Sequence, residues 1–364
     1  MIYRTIGIMS GSSLDGLDIA YVELEEIGGK WTYSVLATEC IPYDEYWQNQ
    51  LFNAIRLNGK DLATLDMKYG AFIGEQVNTF MEKHELDYKV ALIASHGHTV
   101  FHEPGVSTVQ IGHGAAIAAA TQLPVVSDLR SMDVALGGQG APIVPMGENI
   151  LFPGFKYFLN IGGIANISYH DEVVHDAFDV CPANRVLNML SAQAGKAFDE
   201  GGSIAASGNV HQELLRELNG LHYYREVYPK SLSNDFGTDI VFPIVQSYGL
   251  STEDALATYV EHIAVQVADA IRMLCFERTL GLSGDNMLIT GGGALNTYLV
   301  SKISDQLAPF SIDVTVPDEN TVKYKEALIM ALLGVLRWRE EDTVMASVTG
   351  AKRNSIGGAL WLGK

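Results

Sequence analysis

Residues 6–18, IGIMSGSSLDGLD, constrain this chain more than any other stretch. The apolar run at 5–9 predicts a buried strand, and 19–24, IAYVEL, predicts its antiparallel partner. Between them lie Ser10, Gly11, Ser12, Ser13 and the pair Asp15-Gly16. Asp-Gly by itself marks an ordinary hairpin turn. The small residues before it expose backbone N–H groups and hydroxyls, which is what wrapping round phosphate oxygens requires. Taken alone, the stretch serves equally well as a polar hairpin tip, so the remainder of the chain must decide.

A third strand is predicted over 30–41, helices over 46–57 and 62–84, and a buried strand over 90–94 that ends at Ser95-His96-Gly97-His98. Ligand chemistry in open α/β sheets gathers at such strand ends. A strand at 107–111, a helix at 114–121 and a strand at 124–128 follow. The Gly/Pro-rich segment 135–142, ALGGQGAP, then breaks the rhythm and predicts a lobe boundary or a functional loop. After it the opening pattern returns. A strand at 157–160 enters Gly162-Gly163, a second at 164–169 leaves it, and a third spans 173–179. Helical segments follow at 185–194, 203–218 and 251–279, then a strand at 287–290 emptying into Gly291-Gly292-Gly293. A helix at 297–307, a strand at 312–316 and a helix at 324–339 complete the pattern.

The repeat is one of architecture, with little sequence identity. Two lobes are expected, 1–135 plus 340–364 and 136–339, each opening with a glycine-bearing hairpin. Three glycine loops in this order resemble the actin-like, sugar-kinase and Hsp70 ATPase superfamily. The resemblance implies an α/β, two-lobed actin-like ATPase (ribonuclease H-like) fold with an interlobe active-site cleft.

Charge narrows the partners. With 43 acidic against 24 basic residues, a formal charge of −19 argues against nucleic acid, which draws on clustered Lys and Arg. An anionic small ligand would instead need a locally positive pocket built from a few Arg residues, helix N-termini and a bound metal. No signal peptide is visible at the start, and the apolar run 115–126 is too short to span a bilayer, so a cytoplasmic protein without a membrane partner is expected. Cys40, Cys181 and Cys275 are widely spaced, which fits reduced thiols.

Particular strings narrow the resemblance. IGIMSGSSLDGLD, ASHGHTVFHEP, VQIG, VVSDLR, ALGGQGAPIVP, LNIGGIANIS, ITGGGALN and SVTGA together resemble the anhydro-N-acetylmuramic acid kinase family over nearly the whole chain. The resemblance implies an enzyme that uses ATP, Mg²⁺ and water to open the 1,6-anhydro bridge of the sugar and phosphorylate the freed O6. It also implies that Asp179 activates the water. On the residues alone, Pro182 lies where a first helical turn would begin, which would set Asp179 near a helix N-terminus with Asn184 close by. An ionised carboxylate there could take a proton from water, and a capping aspartate is the plainer alternative. The family's D-T-G-P-G-N appears here as Asp179-Val180-Cys181-Pro182-Ala183-Asn184, its H-G-Q as His96-Gly97-His98, and its S-T-G-R-E as residues 231–235, SLSND.

The same resemblance assigns ATP binding to Gly11, Ser12, Ser13, Asp15, Gly162, Gly163, Asn184 and Gly291–Gly293, and sugar hydroxyls to His96 and Glu103. Arg130 could hold the lactyl carboxylate of muramic acid with its planar fork, or form a surface salt bridge with Asp128 or Asp133. Gln110, Gly138 and Gln139 are further candidates for contact with the sugar. His96, His98, His102 and Glu103 also look like a metal cluster, but their spacing supplies zinc geometry only by chance. For Mg²⁺, Asp15 and Glu326 are the candidates, direct or through water. The family's habit implies a homodimer. Two rivals stand beside the kinase: a pseudokinase that senses wall fragments, and a conventional kinase of a reducing amino sugar.

Overall fold

The computed structural model describes residues 1–11, 14–171, 175–228, 230–233, 235–278 and 285–363; Ser12, Ser13 and Asn234 lie outside the described residues. The chain divides into two compact units, Met1–Pro153 with Tyr324–Lys364, and Gly154–Lys323.

In the first unit, β1 (Ile2–Ser10), β2 (Gly16–Ile27) and β3 (Lys30–Pro42) form an antiparallel meander. Ile8 pairs with Ile19 and Ser10 with Leu17, which closes the opening hairpin as the apolar pattern predicts. Helix Gly59–Lys83 follows, with Leu65, Tyr69, Ile73, Val77 and Phe80 on its buried side. That spacing is one helical face. It carries the chain to β4 (Leu92–Glu103), which lies parallel to β1, and a parallel return needs such a crossover. β5 (Ser107–Ile111) folds back on β4, β6 (Val125–Ser127) pairs with it in parallel, and the C-terminal strand Ala359–Trp361 pairs antiparallel with β6. Ile6, Ile8, Leu17, Ile19, Tyr69, Ile73, Val77, Ile93 and Ile117 meet in one core.

The strand expected to end at Ser95 instead runs on through His96, Gly97 and His98 to Glu103. Pairing is the reason. Ser10 pairs with His98 on one side, and β5 supplies His98–Ile111 and His102–Thr108 on the other, so the backbone polar groups find partners within the sheet.

Helix Glu319–Trp338 packs onto this sheet at very short range: a Cβ on Gly7 would lie 1.8 Å from the Ala327 carbonyl oxygen. Lys325 on that helix forms a buried ion pair with Glu148 at 2.6 Å. These contacts draw residues 136–153 and 324–339 into the first unit. The boundaries therefore fall at 153/154 and 323/324, and not at the expected 135/136 and 339/340.

The second unit repeats the plan. β7 (Tyr157–Ile161), β8 (Ile164–His170) and β9 (His175–Pro182) form a meander, and β10 (Asp285–Thr290) and β11 (Ile312–Thr315) extend it in parallel beyond β7. Its strand order is β11-β10-β7-β8-β9, matching β6-β4-β1-β2-β3 in the first unit, where the C-terminal strand is added outside β6. Both units thus carry the strand order of the actin-like ATPase fold. Helix Thr252–Arg278 contributes Leu256, Tyr259, Ile263, Val267, Ile271 and Leu274 to the second core. The helix expected over 203–218 is two, Ser203–Ser207 and Gln212–Asn219, broken at Gly208 where a Cβ would meet the Glu253 carbonyl oxygen at 2.1 Å. No described helix is long and apolar enough to cross a membrane.

Candidate active site

In the second unit the β7–β8 turn meets the end of β10. Gly291, at φ +80°, lies so close to β7 that a Cβ there would sit 2.5 Å from Asn160 Oδ1 and 2.8 Å from the Ile161 carbonyl oxygen. At Gly293 a Cβ would sit 2.2 Å from the Ile161 side chain. Asn184 opens helix Asn184–Ala192 and joins the same group: its Nδ2–H donates to the Ile161 carbonyl at 2.9 Å, and its main-chain N–H to that of Gly162 at 3.0 Å. A Cβ on Gly292 would lie 3.6 Å from Asn184 Nδ2. Gly162, Gly163, Asn184 and Gly291–Gly293 are therefore gathered round one stretch of bare backbone, a cradle that side chains would fill. Such a cradle suits the close approach of a nucleotide.

Asp179 sits inside β9. The strand continues through Pro182 and the helix begins only at Asn184, so neither the strand end nor the first helical turn is where the sequence predicts it. Alternation along β9 buries Phe178 and Val180 in the core and leaves Asp179 half-buried on the other face. Chain far away in sequence holds it. Leu232 N–H donates to Asp179 Oδ2 at 2.9 Å, the Tyr223 hydroxyl donates to the Asp179 carbonyl at 2.6 Å, and the Asp179 N–H donates to the Lys230 carbonyl at 3.3 Å. Its other carboxylate oxygen has no partner among the described residues. Burial pushes the carboxyl above the usual aspartate range, and the Leu232 N–H pulls the other way.

Behind this segment, Tyr224 and His262 continue the network. His262 Nδ1 donates to Asn219 Oδ1 at 2.6 Å, so Nε2 accepts the Tyr224 hydroxyl at 3.1 Å. Burial lowers the His262 pKa to about 3 and keeps the ring neutral.

In the first unit, Arg130 is bound into the protein. His96 Nδ1 donates to the Gly97 carbonyl at 2.9 Å, which leaves Nε2 to accept Arg130 Nε–H at 2.9 Å. Arg130 Nη1 donates to the Gly140 carbonyl at 2.7 Å, while Asp133 accepts the Gly140 N–H at 2.7 Å and the Thr349 hydroxyl at 2.6 Å. Among the described residues Arg130 forms no ion pair with Asp128 or Asp133. Burial lowers its pKa to about 10 and that of His96 to about 3. The glycine loop at 135–142 thus lies within the first unit, its Gly140 clamped on both main-chain groups.

His98 Nδ1 lies 3.0 Å from Ser10 Oγ, which accepts from the Tyr43 hydroxyl at 2.7 Å; Tyr43 and Tyr69 hydroxyls are 2.5 Å apart. Glu103, by contrast, is not brought to His96. Seven residues of extended strand at ~3.3 Å each separate their Cα atoms by on the order of 20 Å. Gln110 spends its amide on Thr99 and Thr108 hydroxyls at 3.3 and 2.8 Å.

Asp15, Asp18 and Glu326 form an acidic group in the same unit. Burial raises Asp18 to about 6, its bond with Cys40 opposes this, and the carboxylates of Asp15 and Glu326 add to the rise. Burial also raises Glu326, with Lys325 and Arg130 working against it. A cation would relieve this repulsion. Among the described residues no three His, Cys, Asp or Glu side chains are set to enclose a metal. Asp18 escaped sequence reasoning, although its spacing from Asp15 places it at the head of β2. Tyr223 and Leu232 left no such signal, being 44 and 53 residues from Asp179.

Comparison with known proteins agrees over the full length. The family model described as anhydro-N-acetylmuramic acid kinase matches residues 3–363. A relative of that name from Sulfurimonas denitrificans is 31% identical, covering 98% of each chain. One from Shewanella amazonensis is 33% identical over 97% of each, and one from Streptomyces coelicolor 34% over 99% of this chain and 94% of the relative.

Proposed function

The chain belongs to the anhydro-N-acetylmuramic acid kinase family, and from that membership we propose an ATP-dependent kinase in which Asp179 activates the water that opens the sugar's 1,6-anhydro bridge. Asp179 takes a proton from water as the water oxygen bonds to C1 and the C1–O6 bond breaks. O6 then attacks the γ-phosphorus of ATP, ADP leaves, and the product is N-acetylmuramic acid 6-phosphate. The observation that supports this role is the tethering of one Asp179 oxygen by the Leu232 N–H while the other has no partner among the described residues. A general base needs that combination of fixed orientation and a lone pair free to accept.

Gly162, Gly163, Asn184 and Gly291–Gly293 are proposed to receive the nucleotide, and His96 and Arg130 to present the sugar site of the first unit. Magnesium, when bound, supplies charge neutralisation at the β- and γ-phosphates, and Asp15 and Glu326 are the residues proposed to hold it through water.

Asp179→Asn is expected to lower turnover at least a thousandfold while sugar affinity stays within about threefold, since the amide keeps the shape and loses the basicity. Isothermal titration with the sugar and a coupled ADP assay measure the two. Parental turnover in the variant removes Asp179 as the base. In ¹⁸O water the label is expected on C1 of the product; unlabelled C1 rules out hydrolytic opening. Because burial raises the Asp179 pKa, the acid limb of kcat against pH is expected above the ordinary aspartate range near 3.9.

A further inference from the structure

Arg185 is the second residue of helix Asn184–Ala192 and lies over the β7–β8 turn, where a Cβ on Gly163 would be 3.9 Å from its Nε. That Nε is buried and has no hydrogen-bond partner among the described residues. Among the described residues its guanidinium forms no ion pair either. A buried donor left unmade costs about 1–3 kcal/mol, so an arginine held this way calls for an acceptor that arrives from outside.

The surrounding backbone explains why a cation is needed there. The main-chain N–H groups of Ala183, Asn184 and Arg185 point at the carbonyls of Gly163, Gly162 and Gly163, at 2.8, 3.0 and 3.4 Å. First-turn donors that would otherwise meet an anion are spent on the turn itself. The two glycine loops, residues 160–164 and 291–296, contain no Lys or Arg, and the chain carries a net charge of −19. Ala183 stands where the family pattern has glycine, which narrows backbone approach further.

We propose that Arg185 is a nucleotide-binding residue that grips the phosphates of ATP at the β7–β8 turn, supplying by side chain the positive charge that this turn's backbone does not offer. A planar guanidinium can bond two phosphate oxygens at once, which a lysine at the same place cannot. The inference rests on the proposal that Gly162-Gly163 is a phosphate loop.

Binding of ATP, ADP and adenosine to the whole protein by titration calorimetry, without turnover, tests it. Arg185→Met is expected to weaken ATP and ADP at least tenfold, leave adenosine and sugar affinity within twofold, and not lower the melting temperature of the free protein, since it removes a buried donor without an acceptor. Arg185→Lys is expected to recover part of the loss. Parental ATP affinity in Arg185→Met overturns the inference, as does an equal loss for adenosine, which marks a structural role. If the parental protein itself binds no ATP, the phosphate-loop reading fails with it, whereas an error about Asp179 alone leaves these affinities untouched.

Discussion

At the scale of single residues, the site depends on groups whose partners are remote in sequence. Asp179 is oriented by Tyr223 and Leu232, and neither could be found from a motif because each bond closes a loop of more than 40 residues. Tyr223 bonds Asp179 through the main-chain carbonyl and not the carboxylate, and so acts as a positioning residue. Tyr223→Phe removes one hydrogen bond worth about 1 kcal/mol, and kcat is expected to fall three- to tenfold with the KM for ATP unchanged. Steady-state kinetics check this, and a rise in the KM for ATP with kcat unchanged contradicts it. The glycines of the cradle, by contrast, were legible beforehand. Gly291 and Gly293 are required by backbone approaching backbone, and a run of three glycines after an apolar strand announces that.

Elements were legible to the extent that periodicity specified them. Both meanders, the helix Gly59–Lys83 and the strand β10 follow from runs with period two or 3.6. The departures occur where pairing overrides local pattern. β4 passes through His96-Gly97-His98 because β1 and β5 pair with it there, and β9 passes through Pro182 because Ile164 on β8 pairs with that residue. The seat of helix Glu319–Trp338 on β1 turns on Gly7. Gly7→Ala would push a methyl into the Ala327 carbonyl, so about 2–3 kcal/mol of stability should be lost, seen as a lower denaturation midpoint at unchanged m-value. An unchanged midpoint would mean that the helix can shift at no cost.

For the molecule as a whole, both units bury neutral histidines, and this sets a direction for acid sensitivity. His96 and His262 are lowered to about 3 and His98 to about 4, all by burial first. Unfolded, each would take a proton near pH 6.5. The unfolded chain therefore binds more protons below that pH, and the stabilisation, fully present above it, is lost as pH falls toward 3–4. Asp18, raised to about 6, works in the opposite sense, as do Asp66, Asp179 and Glu326, whose carboxyls burial also raises. The melting temperature is expected to drop between pH 7 and pH 5, with a shallower slope in His262→Gln. Parallel slopes would exclude His262 from the effect.

By itself the sequence determined the α/β class, the duplicated glycine-bearing hairpins, the cradle glycines and the family, because periodicity and short glycine strings are local and survive without a partner in view. Tertiary structure alone decided where the units divide, since the buried Glu148–Lys325 pair joins residues 177 apart. It alone decided that Asp179 is held by a distant segment, that Arg130 leans on His96 and Gly140, and that Arg185 Nε is buried beside Gly163 without a hydrogen-bond partner among the described residues. Burial and hydrogen bonding between remote segments have no local signature, and in this protein they govern the charge state and aim of Asp179, His96 and Arg130.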